Sequence, residues 1–90
     1  MRDTAAPATI LMCDTQPVAI EGVRGLLEAT PGLRFAGAVC SLEAASELMR
    51  AMSPAAIVID KALGTQAIME WLRRASAMGT PTAAVVWGVG

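Results

Sequence analysis

Histidine is missing altogether from this chain of 90 residues. That removes imidazole triads, zinc-protease motifs and phosphotransfer through a histidine of its own. Cysteine is scarce: Cys13 and Cys40 are widely spaced and match no metal-binding pattern. Aromatic residues amount to 3%, and Trp71 and Trp87 are read as core or interface anchors. No apolar run is long enough to span a bilayer, so no membrane association is expected. Basic residues do not cluster. The net charge is -1 and the pI about 5.2, which argues against direct nucleic-acid binding by this segment. Gly-rich phosphate loops of the GxGxxG or GxxxxGK type are lacking, as is any nucleophile–base pair, so the chain does not read as an enzyme. Met1 to Pro7 carries acid and proline and lacks an apolar core, so no secretory leader is expected. A cytoplasmic protein with two free thiols is the corresponding expectation.

Apolar material, by contrast, is plentiful. The chain is 54% hydrophobic, and residues 1–90 are read as one small domain. Two short apolar runs each close on an aspartate. Thr9-Ile10-Leu11-Met12-Cys13 precedes Asp14, and Ala56-Ile57-Val58-Ile59 precedes Asp60. Such runs suit strands buried on both faces of a parallel sheet. Further strands are expected over Leu33 to Val39, where Gly37 marks a bulge or close approach, and over Thr82 to Trp87.

Three amphipathic segments alternate with these strands. The first has Ile20, Val23, Leu26 and Leu27 inward, Thr15 as its expected N-cap and Pro17 in its first turn. The second begins at Ser41 and buries Leu42, Ala45, Leu48, Met49 and Met52. The third turns Ile68, Trp71, Leu72, Ala75 and Met78 inward, after a loop over Lys61 to Gly64. The β-α-β-α-β-α-β pattern predicts a parallel sheet with right-handed crossovers. In such sheets ligands bind beyond the carboxyl ends of the strands, where both aspartates fall.

Cys13-Asp14-Thr15-Gln16-Pro17 and Ile57-Val58-Ile59-Asp60 together resemble a response-regulator receiver domain, of the subfamily with a LuxR/NarL-type helix-turn-helix output. Glu21-Gly22-Val23-Arg24, Ala29-Thr30-Pro31-Gly32, Phe35-Ala36-Gly37 and Val85-Val86-Trp87 extend the resemblance in family order over nearly the whole chain. It implies a flavodoxin-like three-layer α/β fold, with a four-stranded parallel sheet of order 2-1-3-4 and three helices, lacking the family's last strand and helices. It implies Asp60 as acceptor of a phosphoryl group from a histidine kinase. Asp14, Asp60 and the Ala62 carbonyl would hold Mg²⁺, a hard cation suited to oxygen ligands. Thr15 stands where the family commonly has a second acid and is left as a helper. Gly88 stands where a hydroxyl is usual, and the family's phosphoryl-contacting lysine has no counterpart.

The resemblance is thus to a truncated receiver with a degenerate acid pocket. A homodimer burying strand 4 and the uncovered sheet face is expected, because that strand is apolar and uncharged. The alternatives are a phosphorylation-independent pseudo-receiver scaffold, an N-terminal fragment of a LuxR-type transcriptional regulator and, weakest, a small flavodoxin-like enzyme.

Overall fold

The computed structural model describes residues 7–88. In chain order these form β1 (Ala8–Cys13), α1 (Pro17–Glu28), β2 (Leu33–Val39), α2 (Leu42–Met52) and β3 (Ala56–Asp60). A single 3-10 turn (Lys61–Leu63), α3 (Thr65–Ala77) and β4 (Ala83–Trp87) follow. All strand pairs are parallel and the order is β2-β1-β3-β4, consistent with a flavodoxin-like fold. The expectation for the first residues of the chain falls, for 1–6, outside the described residues.

Side chains alternate across the pleat, and the two faces are covered unequally. Leu11 and Cys13 of β1 and Ile57 and Ile59 of β3 pack against Ala45 and Met49 of α2 and against Ile68 and Trp71 of α3. The chain moves one way across the sheet from β1 to β2 and the other way from β2 to β3 and β4. Right-handed crossovers therefore put α1 on the opposite face from α2 and α3. There α1 lies mainly along β2 and has no fully buried residue.

Several side chains expected inside are outside. Leu26 is 68% exposed, Met78 66% and Met52 40%. Leu26 sits about 120° round the helix from Ile20, and among the described residues no second helix flanks α1 to cover it. Met78 and Met52 stand at or just past the last helical turn, beyond the sheet's cover.

Local signals explain most boundaries. The Ser41 hydroxyl accepts the Ala44 N–H at 3.1 Å and caps α2, an interaction that contributes about 1 kcal/mol. At the other end of α2, Ser53 takes a left-handed conformation. Thr15 does not cap α1. Gln16 holds that position without a side-chain bond, and Asp14 accepts the Gln16 N–H instead. Gly37 marks a bulge: the register of β1 on β2 jumps from Ile10–Phe35 to Leu11–Gly37. The Lys61 to Gly64 loop is wound into the 3-10 turn. Strand β4 starts one residue later than expected, at Ala83, and the Thr82 hydroxyl donates to the Pro54 carbonyl at 2.7 Å.

One long-range polar contact ties the two covering helices. The Trp71 indole N–H donates to the Leu42 carbonyl at 3.0 Å and to the Ser46 hydroxyl at 2.7 Å. A nearly buried indole must find such a partner, and this one sets α3 against α2.

Candidate functional site: the carboxyl rim of the sheet

Strand register brings the two aspartates together. Cys13 of β1 is paired with Ile59 of β3; Asp14 directly follows Cys13, and Asp60 is the last residue of β3. Neighbouring strands lie about 4.8 Å apart, so Asp14 and Asp60 flank one spot on the rim. This is also where the sheet reverses its winding, with β1 leading outward to β2 and β3 leading the other way.

The two acids differ in their surroundings. Asp14 is 1% exposed. Its backbone N–H donates to the Val39 carbonyl at 2.9 Å, and its Oδ1 accepts the Gln16 N–H at 2.9 Å. Oδ2 is buried and has no hydrogen-bond partner among the described residues. An unsatisfied buried polar atom costs roughly 1–3 kcal/mol, more when it is charged. Asp60 is half-buried, and its Oδ1 accepts the Ala62 N–H at 3.1 Å, opening the 3-10 turn. Both acids therefore also do the plain work of starting the segment that follows them. Thr15 is exposed.

Gly88 lies against Asp60. An ideal Cβ on Gly88 would stand 3.2 Å from Asp60 Oδ1 and 2.8 Å from Lys61 Cγ. Lys61 thus lays its aliphatic stem where a side chain at position 88 would begin. That placement, like the bond from Gln16, left no mark in the sequence, because it depends on how β4 ends beside β3. Beneath the rim, Cys13 is buried, and burial together with Cys40, Asp14 and Asp60 pushes its thiol up to about 11. Cys40, the residue after β2, is exposed.

The donor set suits a hard cation in part. Mg²⁺ is commonly held by one or two carboxylates and keeps several waters. Asp14 brings a buried carboxylate oxygen in want of a partner, Asp60 a second carboxylate, and Ala62 a nearby backbone carbonyl. Among the described residues no group of three acidic or thiol side chains converges on a metal-sized site, so water would have to complete the shell. No helix among the described residues is long and apolar enough to cross a membrane. Set against known proteins, the chain matches no family model and no curated sequence.

Proposed function

We propose that this chain is a receiver-like module of two-component signalling, with Asp60 as phosphoryl acceptor and a reduced acid pocket around it. The observation that carries the reading is the buried, unpartnered Oδ2 of Asp14 next to Asp60. Buried polar atoms are nearly always hydrogen-bonded, so this oxygen at the mouth of a parallel sheet calls for a partner, which a cation or a water would supply.

In the proposed step, a carboxylate oxygen of Asp60 attacks the phosphorus of a phosphohistidine on a partner kinase. The P–O bond forms as the P–N bond breaks, and the leaving imidazole takes up a proton from water. The product is an acyl phosphate on Asp60. Asp14 holds the second negative charge of the site and, through Gln16, fixes the start of α1. The Asp60–Ala62 hydrogen bond orients the acceptor. Mg²⁺, when bound by Asp14, Asp60 and the Ala62 carbonyl, would offset charge on the transferred group.

A second reading rests on Gly88 and Thr15. Gly88 offers no hydroxyl to a phosphoryl group on Asp60, and exposed Thr15 replaces an acid. Both favour a scaffold that acts without phosphorylation. In either version we assign self-association to β4, an edge strand whose five residues are all exposed. In either version the compartment is the cytoplasm, and the partner a histidine kinase or another regulator.

Titration with beryllofluoride and Mg²⁺, followed by backbone NMR, separates the two. The phosphoacceptor reading expects shifts at Asp14, Asp60 and Ala62 that disappear in Asp60→Asn. No response at millimolar Mg²⁺ would leave the scaffold alone.

A further inference from the structure

The opposite end of the molecule carries a second concavity. Helices α2 and α3 both run from the acid rim toward the amino ends of the strands. Between their last turns opens a cleft of about 390 Å³, whose lining includes Ser46, Arg50, Ser53, Trp71, Arg74 and Thr80. That volume falls within the range of roughly 300–1,000 Å³ typical of small-molecule sites.

A helix carboxyl end attracts a cation, so one arginine per helix is what the dipoles alone would select. Two observations go further. First, both arginines pass over acids placed to pair with them. Glu47 stands three positions before Arg50, and Glu70 four before Arg74. These are the spacings at which helical ion pairs form. On α1 such spacings are used: Arg24 meets Glu21 at 2.8 Å and Glu28 at 3.7 Å. Arg50 and Arg74 form no ion pair among the described residues, and no carboxylate lines the cleft. Arg74 also borders a shallower groove with Glu43 and Glu70, again without pairing. Second, the lining mixes hydroxyls with apolar surface from Met78 and Pro81, beside the edge of nearly buried Trp71. Ser53, at φ 46°, is the one non-glycine residue of positive φ among those described.

We propose that this cleft binds a small organic phosphomonoester, its phosphate between Arg50 and Arg74 and its apolar body against Met78 and Pro81, beside the edge of Trp71. Two guanidinium forks match the oxygens of a phosphomonoester, and their two positive charges outweigh the partial negative charge of roughly one half at each helix end. The hydroxyls of Ser46, Ser53 and Thr80 supply further polar partners. The site lies at the far end from Asp60 and does not rest on the phosphoacceptor reading.

Phenyl phosphate titrated into the whole chain tests it, with the Trp71 indole N–H and the arginine Nε–H signals followed by NMR. Saturable shifts at these groups are expected. Arg50→Gln and Arg74→Gln should each weaken binding about ten-fold or more. Both positions are exposed, so far-UV circular dichroism should not change. Asp60→Asn should leave the affinity intact, and loss of binding there would put the ligand at the acid rim and overturn the proposal. Shifts that never saturate, an affinity indifferent to both arginine changes, or inorganic phosphate binding as tightly as phenyl phosphate would overturn it as well.

Discussion

Gly88 stands so close to Asp60 that its missing Cβ would lie 3.2 Å from the carboxylate Oδ1. Its φ of +148° is one that L side chains rarely adopt. The position therefore resists any side chain, including the hydroxyl that the proposed phosphoacceptor reading would want there. Gly88→Ser should destabilise the fold by about 1–2 kcal/mol. A urea midpoint equal to or above that of the parent would show that the strain is absent.

Asp14 is predicted to limit stability when no cation is bound. Asp14→Asn keeps an acceptor for the Gln16 N–H and removes a buried charge, so in EDTA its melting temperature should equal or exceed the parent's. Added Mg²⁺ should raise the parent's melting temperature, by linkage to the folded state, and leave the variant unmoved. A parent indifferent to millimolar Mg²⁺ would exclude the cation site.

Cys13 gives a pH dependence with a definite sign. Its thiol is pushed from 9.0 up to about 11, first by burial and then by Cys40, Asp14 and Asp60. The folded state holds this proton more tightly than the unfolded state does. The contribution is complete below about pH 9 and is lost as pH rises toward 11, by on the order of 1–2 kcal/mol. Denaturation at about pH 8 and about pH 10.5 measures it. The same alkaline loss in Cys13→Ala would assign it to another group.

Val85 lies at the middle of β4 and is 50% exposed. A lysine there places charge on an otherwise uncharged edge, the usual device against strand pairing. Val85→Lys should convert the proposed dimer to a monomer in light scattering with circular dichroism unchanged. A parent that is already monomeric at high micromolar concentration would remove the need for any such interface.

Much of the architecture was legible because its causes are local. The continuous apolar runs ending at Cys13 and Ile59, the Ser41 cap and the glycine bulge at Gly37 all act within a few residues. Leu26 and Met78 were misplaced because their burial depends on more distant parts of the chain. Periodicity tells which side of a helix is apolar, but not whether another element reaches far enough to cover it. Thr15 has good cap chemistry, yet Gln16 holds the N-cap position of α1, and Asp14, directly after β1, accepts the Gln16 N–H. The arginine cleft left no trace in the linear pattern, since Glu47 and Glu70 stand at pairing distance along the chain and remain unpaired in space.

The chain by itself determined the alternation of strands and helices, most of their ends, and hence a parallel α/β sheet, because propensity, capping and side-chain period are properties of short segments. Only the tertiary structure decided that Asp14 is sealed from water beside Asp60, that Gly88 lies against Asp60, and that Arg50 and Arg74 face one cleft. Those relations come from strand register and crossover geometry, which join residues tens of positions apart and are settled only when the sheet and its helices pack together.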